Sequence, residues 1–418
     1  MRNLLFAFAV FLGILLSFHL VAAVECGQTP TDHCTISTST TFTPGTYQVE
    51  NLTIIANDTV IDCNGAQFNK LNALLFVVDA TEGVTIQNCY MSGYARAITG
   101  GSNSVPPFPS VLTLTVRDNI FDSVWTAVYL IGRRTVNNTR PADPFPNIQI
   151  VNNTITNAVS AIKLINEDNN IITDNTIQVI TQASNFEAIV LAGSSNSLLL
   201  RNTIDGGKIR IQRDAGKNAT NATIEENVIS DSPLAIELLQ GADGARVRRN
   251  IASRVDQGMS ISYSSDHYIR ANAFSANELI DTVGGGISIE GGNLAQNITI
   301  FLNYFENLSD PVFDGGFNNS WDNNITLLGR TFSFGNFYQT FYRDNQTRRG
   351  FACVDLDFDN ICDNPYLFDV NVRDNFPIRS LSGPDSPGGG GWSENTPVVE
   401  PIQPFMISEV GQIHVLIN

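Results

Sequence analysis

Two stretches of sequence decide the fold, NIQIVNNTITN at residues 147–157 and NIITDNTIQV at residues 170–179. Each places an apolar residue three positions before an asparagine and another two positions after it, as in Ile150–Asn153–Ile155 and Ile172–Asn175–Ile177. Short strands of period two, in units of roughly 22 residues, indicate a chain that coils back on itself.

The pattern recurs along most of the chain. Further copies are Val116–Asn119–Phe121, Leu199–Asn202–Ile204, Ile224–Asn227–Ile229, Val247–Asn250–Ala252, Ile269–Asn272–Phe274 and Ile300–Asn303–Phe305. A second block, a small residue followed by alternating apolar residues, follows most of the asparagines, as in Ala127–Leu130, Ala161–Leu164 and Ala235–Leu238. The sequence therefore predicts an all-β fold, a right-handed parallel β-helix (solenoid) of about ten rungs with N- and C-terminal caps.

The repeated asparagine has a structural explanation. At a corner between strands an asparagine tolerates the left-handed conformation, and its amide can bond neighbours above and below it. We therefore expect a ladder of inward asparagines that satisfies backbone groups at tight corners, rather than a row of ligands.

The N-terminus is typical of a secretory signal at residues 1–23, because Arg2 precedes an uncharged apolar run from Leu4 to Leu16 and small residues at Ala22 and Ala23. An uncleaved anchor is the alternative. No other stretch is apolar enough to span a bilayer, so we expect no membrane span after signal cleavage. The protein is predicted to be secreted, extracellular or on the cell surface.

Composition divides the rest of the chain. We expect an N-terminal cap at 24–57, the parallel β-helix at 58–310, a C-terminal cap with an acidic loop at 311–380, a Gly/Pro-rich linker at 381–405 and an apolar tail at 406–418. The six cysteines suit an oxidising compartment. Cys63 and Cys89 both occupy the asparagine phase, so they should lie about one strand spacing, about 4.8 Å, apart and form a disulfide. Cys26–Cys34 and Cys353–Cys362 would each close a loop in a cap.

The repeats resemble those of right-handed parallel β-helix proteins, a group of carbohydrate-binding proteins and sugar hydrolases. Ile61–Gly65 followed by Val84–Cys89 is similar to the opening coils of secreted archaeal β-helix proteins. The C-terminal block resembles the NosD-like subgroup, through Asn336, Phe337, Tyr338, Phe341, Asp355, Asp357, Asp359, Asp363, Pro365, Tyr366, Asp374, Phe376 and Pro377. The resemblance specifies the fold far better than the function.

An acidic loop runs from Asp355 to Asp363. Its acidic residues and one carbonyl follow the ligand order of a calcium loop and predict a structural Ca²⁺ held by Asp355, Asp357, Asp359, Ile361 and Asp363. Tyr366 stands where such loops carry a glutamate, so Asp344 or Asp374 would have to complete the site. A solvated acidic turn held by a disulfide is the alternative. No organic cofactor is expected.

Outward residues two and four positions before the asparagines are candidates for carbohydrate binding. They include Glu225, Arg248, Tyr268 and Arg270, with Tyr268 as a sugar platform. A surface ion-pair ladder, worth little per pair, is the alternative. The same face carries an apolar stripe of Val151, Ile171, Leu198 and Leu200, which a loop, a ligand or a second subunit of an oligomer would have to cover.

Catalytic signals are weak. The Asn-Thr-Asp, Asp-Asp and Gly-His-Gly motifs of pectin hydrolases with this fold do not occur. A local set for a lyase or epimerase is Asp266, His267 and Arg270, but His267 falls at an inward or strand-opening position, which favours a structural role. Soft-metal ligands are too scattered for copper delivery, which the NosD resemblance implies.

The formal net charge of −17 argues against nucleic acid as a partner. The sequence favours a non-catalytic protein that binds a polysaccharide or cell-surface glycan, or has a structural role. A polysaccharide lyase, epimerase or hydrolase with a divergent site is the alternative, and a NosD-like accessory protein for metal insertion is a minor one. Eleven Asn-X-Ser/Thr sequons, among them Asn51, Asn221 and Asn297, would make a glycoprotein in a host with N-glycosylation.

Overall fold

The computed structural model describes residues 24–78, 81–101, 113–132, 147–180, 187–262, 269–270, 273–275, 277–282, 285–290, 294–306, 312–327, 330–338, 362, 366–369, 372–374 and 377. The chain divides into two compact units. Unit 1 comprises Met1–Ser197 and Asp214–Lys217, and unit 2 comprises Leu198–Arg213 and Asn218–Asn418. No helix in the described ranges is long and apolar enough to cross a bilayer.

Unit 1 consists of short parallel strands stacked in three sheets, and each coil of the chain adds one strand to each sheet in turn. Sheet A contains β1 (Thr35–Ile36), β4 (Leu52–Ile54), β7 (Leu74–Val78), β10 (Arg96–Gly100), β13 (Thr126–Ile131), β16 (Ser160–Ile165) and β19 (Glu187–Ala192). Sheet B contains β2 (Thr40–Thr41), β5 (Val60–Asp62), β8 (Val84–Gln87), β11 (Thr113–Arg117), β14 (Asn147–Val151) and β17 (Ile171–Thr173). Sheet C contains β3 (Thr46–Tyr47), β6 (Gln67–Asn69), β9 (Tyr90–Ser92), β12 (Ile120–Asp122), β15 (Thr154–Ala158) and β18 (Thr176–Val179).

Unit 2 has the same three-sheet arrangement. Its sheet A strands are β22 (Lys208–Gln212), β26 (Leu234–Leu238), β30 (Gln257–Ile261), β34 (Ile287–Ile289) and β38 (Val312–Asp314). Its sheet B strands are β20 (Leu198–Leu200), β24 (Thr223–Glu225), β28 (Arg246–Arg248), β32 (Ala273–Ser275) and β36 (Thr299–Phe301). Its sheet C strands are β21 (Thr203–Asp205), β25 (Val228–Ser230), β29 (Ile251–Ser253), β33 (Glu278–Ile280), β37 (Tyr304–Glu306) and β41 (Phe337–Tyr338).

The described residues of unit 2 also form four two-stranded pairings. Two are parallel, β23 (Ala219–Thr220) with β27 (Ala242–Asp243) and β31 (Ile269–Arg270) with β35 (Ala295–Gln296). Two are antiparallel, β39 (Asn323–Leu327) with β40 (Arg330–Phe334) and β42 (Tyr366–Asp369) with β43 (Val372–Asp374).

The core lies between the three sheets because most of the strands whose burial is described turn alternate apolar residues inward. In sheet A of unit 1, Ile98, Val128 and Ile162 stand in register on successive strands and are fully buried. Each coil thus adds an apolar layer to its neighbours, and burial of that layer stabilises the stack. The fold is the right-handed parallel β-helix that the repeat predicted.

The parallel stacking extends beyond both predicted boundaries. Strand β1 pairs with β4 and β2 with β5, so coiling begins inside the segment 24–57 that was expected to be a cap. At the other end, β38 pairs with β34 and β41 with β37 inside the predicted cap 311–380. The first coils were missed because their strands are two or three residues long and lack the repeated asparagine.

Buried asparagines bond one another in each unit, as predicted. In unit 1 Asn119 donates to Asn153 and Asn153 to Asn175, with Nδ2–Oδ1 distances of 3.0 Å. In unit 2 the row runs through Asn202, Asn227, Asn250, Asn277, Asn303 and Asn336 at 2.9–3.0 Å. All of them are at most 1% exposed. The repeated residue therefore holds the coils together and does not face a ligand.

One assignment in this row was wrong. Phe274 pairs with Val247, so Asn277 and not Asn272 bonds Asn250. Phe274–Asn277–Leu279 carries the same letter pattern as Ile269–Asn272–Phe274, so the sequence offered two registers and the strand pairing selects the second.

Two predicted disulfides are confirmed. Cys63–Cys89 joins neighbouring coils with a Cα–Cα distance of 4.8 Å, and Cys26–Cys34 lies near the N-terminal end of unit 1 with a distance of 5.0 Å. The Cys89 amide donates to Asn119 Oδ1, so the disulfide occupies the place that asparagines take in later coils. Cys362 is disulfide-bonded, and its expected partner Cys353 lies outside the described residues.

Candidate functional site

The outer face of sheet A in unit 1 carries side chains that change from strand to strand. One row across strands β10, β13, β16 and β19 consists of Arg96, Thr126, Ser160 and Glu187. Three residues further along each strand, a second row consists of Thr99, Tyr129, Lys163 and Val190. Thr99, Thr126, Glu187 and Val190 in these rows are at most 9% exposed, and Arg96, Tyr129 and Lys163 are half-buried.

Aromatic side chains mark the middle of this face. The guanidinium carbon of Arg96 lies 3.9 Å from the centre of the Tyr129 ring, which is a cation–π contact. Trp125 directly precedes β13 and is 64% exposed. Its backbone amide donates to the carbonyl of Tyr94 on the preceding coil, so its position is fixed although its ring faces solvent. We call Arg96, Trp125 and Tyr129 the aromatic platform.

Two kinds of side chain border the platform. Lys163 Nζ lies 3.9 Å from Glu187 Oε2. Beyond Tyr129, the outward residues Ile131, Ile165, Val190 and Ala192 form a buried apolar cluster, against which Tyr129 packs. The platform therefore has a charged neighbour on one side and an apolar one on the other.

The outer face of sheet A in unit 2 holds a charged cluster, Lys208, Arg210 and Glu237. Lys208 Nζ lies 2.8 Å and Arg210 Nε 2.6 Å from the same oxygen, Glu237 Oε2. Burial alone would raise the pKa of Glu237, but hydrogen bonds and positive charge from Lys208 and Arg210 hold that pKa below its ordinary value. Glu237 therefore remains a carboxylate at neutral pH.

The predicted glycan residues of sheet B are arranged differently. Glu225 is 5% exposed and accepts hydrogen bonds from Arg248 at 2.7 Å and from Arg249. Ser275, not Arg270, lies beside Arg248, because Arg270 belongs to β31, which pairs with β35. The structure brings Glu225 and Arg248 together as an ion pair, and it places Arg270 on a different pair of strands from Arg248.

The apolar stripe is also discontinuous. Val151 pairs with Thr173 and Ile171 with Gln149, so Val151 and Ile171 stand in different rows. In unit 2, Leu198 and Leu200 pair with Thr223 and Glu225. All four stripe residues are half-buried. A period-two pattern shows which residues face outward but not which of them are neighbours, and the register interrupts the stripe with polar residues.

Several predicted site residues lie outside the described residues, namely Asp266, His267, Tyr268, Asp355, Asp357, Asp359, Ile361 and Asp363. Asp374, a candidate partner for calcium, is fully buried. Its Oδ2 accepts the Asn336 amide at 2.7 Å and the Tyr338 hydroxyl at 3.2 Å, so Asp374 continues the asparagine row of unit 2.

Sequence reasoning missed the outer face of sheet A, although a signal was present. The second block of the repeat contains a charged residue between apolar ones in Ala161-Ile162-Lys163-Leu164 and Ala235-Ile236-Glu237-Leu238. Those charges mark the outward position of a strand whose other residues face the core. The repeated asparagine drew attention to sheet B instead.

Comparison with known proteins gives one family. The family described as periplasmic copper-binding protein (NosD) matches residues 30–220 and 146–342. An exopolygalacturonase from Thermotoga maritima is similar in structure, with a TM-score of 0.44, 11% identity, and coverage of 71% of this chain and 86% of that chain. The A-module of a mannuronan C-5 epimerase from Azotobacter vinelandii has a TM-score of 0.38, 10% identity, and coverage of 68% and 91%. No curated protein matches the chain.

The described residues do not fit a copper site. Met91 and Met259 are fully buried in the core, and Cys26, Cys34, Cys63, Cys89 and Cys362 are disulfide-bonded. No group of three or more His, Cys, Asp or Glu side chains in the described part of the chain is placed to hold a metal ion. Soft-metal sites need clustered thioether, thiolate or imidazole groups, which these positions do not bring together.

Proposed function

Because this chain belongs to the NosD family of right-handed parallel β-helix proteins, we propose that it is a non-catalytic glycan-binding protein that works outside the cytoplasm. The observation that carries the proposal is the aromatic platform: Trp125 is 64% exposed at the corner that precedes β13, and Arg96 contacts the ring of Tyr129 on that strand.

The chemistry of the platform suits a sugar ring. Trp and Tyr offer a large apolar surface together with one polar group, and an arginine adds several hydrogen-bond donors for hydroxyl oxygens. Tyr129 and Arg96 lie on paired strands, which hold them in place before a ligand arrives. Preorganisation of this kind lowers the entropic cost of binding.

The charges of sheet A favour binding over catalysis. Hydrolysis of a glycosidic bond needs a carboxylic acid with a raised pKa. Glu187 and Glu237 each have a cationic partner, and the pKa of Glu237 is lowered. The Glu237 carboxylate is therefore poorly suited to donate a proton.

Two observations support a location outside the cytoplasm. The disulfides Cys26–Cys34 and Cys63–Cys89 need an oxidising compartment to persist. The matched family is described as periplasmic.

Affinity electrophoresis in gels that contain neutral or uronate polysaccharides tests the proposal. We expect at least one polymer to retard the protein, and Trp125→Ala to weaken that binding about tenfold or more. Ile120→Ala is the matched control, since Ile120 is 46% exposed on sheet C of the same unit. Equal effects of both substitutions, or no retardation by any polymer, would contradict the proposal.

Chain length and unsaturated ends of each polysaccharide, followed over a day, test the non-catalytic part. Unchanged polymers are expected. Shortened chains or new double bonds would make the protein a polysaccharide hydrolase or lyase.

We also propose a structural Ca²⁺ in the acidic loop Asp355–Asp363, on the alternation of its carboxylates in the sequence. Added Ca²⁺ should raise the thermal midpoint, and Asp357→Asn with Asp359→Asn should abolish that response. A midpoint indifferent to Ca²⁺ in the parent protein would rule the site out.

A further inference from the structure

We infer that Arg246 and Arg248, on the outer face of sheet B in unit 2, bind the anionic groups of an acidic polysaccharide, either carboxylate or sulfate. The inference rests on the proposed function for the class of ligand, and it adds a second binding surface and the charge of the sugar. The aromatic platform lies in unit 1, so separate substitutions test the two surfaces.

The two arginines are exposed outward residues of one strand, β28. Val247 between them is fully buried in the core, whereas Arg246 and Arg248 both face solvent. Residues two apart in a strand lie about 6.6 Å from each other, so one anionic group can contact both guanidinium groups. Each guanidinium is a planar fork of hydrogen-bond donors that matches the oxygens of such an anion.

The positive charge of Arg246 has no partner on this face. In the part of the chain that the structure describes, Arg246 forms no ion pair. Glu225 is the one carboxylate at the outward positions of the described sheet B strands of unit 2. It is 5% exposed and is held by Arg248 and Arg249. An anion that reaches Arg246 therefore displaces no existing ion pair.

Arg248 is held in place but remains accessible. Its Nη2 lies 2.7 Å from Glu225 Oε2, while 45% of its side chain is exposed. Glu225 also accepts a hydrogen bond from Arg249, so two arginines share its charge. Part of the conformational entropy that Arg248 would lose on binding a ligand is already lost on folding.

The row that contains Arg246 offers other groups that suit a sugar. Leu198 pairs with Thr223, and Thr223 pairs with Arg246. Leu198 and Thr223 are half-buried, so they present an apolar side chain and a hydroxyl beside the exposed cation. These three strands span about 10 Å at the usual strand spacing. The row therefore matches the apolar face, the hydroxyl groups and the acidic group of a charged sugar.

The net charge of −17 does not prevent this binding. At physiological ionic strength the screening length is about 8 Å, so exposed charges farther away contribute little. An anion close to Arg246 and Arg248 is attracted mainly by these two groups. Binding should therefore depend strongly on Arg246 itself.

Calorimetric titration of the full-length protein tests the inference, with a polyuronate, its methyl-esterified form and a sulfated neutral polymer as ligands. We expect at least one of the two acidic polymers to bind more tightly than the ester. Arg246→Gln should weaken that binding about tenfold or more, because charge-assisted hydrogen bonds are lost. Arg246 has no ion pair to lose in the described residues, so the variant should fold, and its thermal midpoint checks this.

Arg254→Gln is the matched control for loss of one positive charge. Arg254 lies in unit 2 after sheet C, is 61% exposed in its side chain and pairs with Asp231 at 2.6 Å. This substitution should leave binding of the acidic polymer unchanged. Equal losses in Arg246→Gln and Arg254→Gln would show a general charge effect and overturn the inference.

The remaining outcomes separate the inference from the proposed function. Binding of the ester as tight as that of both acidic polymers overturns the inference and leaves glycan binding in place. Binding of an acidic polymer that Trp125→Ala weakens and Arg246→Gln does not has the same consequence. Absence of binding to every polymer overturns both.

Discussion

The asparagine rows and the outer face of sheet A differ in how much their residues vary from coil to coil. In the rows, the same uncharged side chain returns in coil after coil and is at most 1% exposed. In the outward row of sheet A in unit 1, four neighbouring strands carry Thr99, Tyr129, Lys163 and Val190, of which Tyr129 and Lys163 are half-buried. At the tight corner of each coil the same backbone groups need hydrogen-bond partners, and asparagine supplies them. The outward positions of a strand have no such requirement and accept many residue types. Binding residues are therefore to be sought where the repeat stops repeating.

Removal of one asparagine side chain from the row should have the largest effect on the free energy of unfolding. Asn227 Nδ2 donates to the carbonyls of Leu199 and Glu225 at 3.0 Å, and Asn227 Oδ1 accepts the Asn202 amide at 2.9 Å. Asn227→Ala leaves several buried polar groups without partners, so we expect the free energy of unfolding to fall by roughly 3–5 kcal/mol. Denaturant unfolding measures this. The adjacent outward residue is the control, and Val228→Ala should cost far less because Val228 is 38% exposed.

The disulfide offers a sharper version of the same comparison, because it stands where later coils place asparagine. Cys63→Ala with Cys89→Ala should lower the free energy of unfolding by about 2–4 kcal/mol. Cys63→Asn with Cys89→Asn should recover about 1 kcal/mol, since amides at these positions would extend the row from Asn119. Equal losses of free energy of unfolding in the two double variants would show that positions 63 and 89 are not equivalent to the asparagine positions of later coils.

The charged cluster should give a smaller effect that depends on pH. The folded-state pKa of Glu237 lies below the ordinary value of 4.5, so its stabilisation is present above that pH and is lost as the pH falls through the folded-state pKa. Glu237→Gln should lower the free energy of unfolding by about 1–2 kcal/mol at pH 7, a value between those of exposed and buried ion pairs. The difference in free energy of unfolding between this variant and the parent protein should become smaller in acid. A difference in free energy of unfolding that stays constant or increases from pH 7 to pH 3.5 would contradict the stabilisation assigned to ionised Glu237.

The sequence specified the parts of the molecule whose constraints are local and repeated. The spacing around Asn153 and Asn175 gave the fold, and the phase of Cys63 and Cys89 gave their disulfide. The register near Asn277 was missed because two overlapping patterns satisfy the same rule and the strand pairing decides between them.

The candidate binding surfaces were less predictable. The cation–π contact of Arg96 with Tyr129 and the bridging of Glu237 by Lys208 and Arg210 join residues on different coils. Their neighbourhood depends on how many residues each loop inserts between the strands. A sequence pattern gives the face of a residue but not its neighbour on the next coil.

Hydroxyl-radical footprinting with a saturating polysaccharide tests the central claim most directly, because oxidation reports the solvent exposure of individual side chains. If the outer face of sheet A is the binding surface, oxidation of Trp125 and Tyr129 should fall sharply on binding. Val60 on sheet B and Ile120 on sheet C are 40% and 46% exposed in the same unit, and their oxidation should be unchanged. Protection of Val60 or Ile120 with Trp125 unaffected would place the ligand on another face and contradict the account.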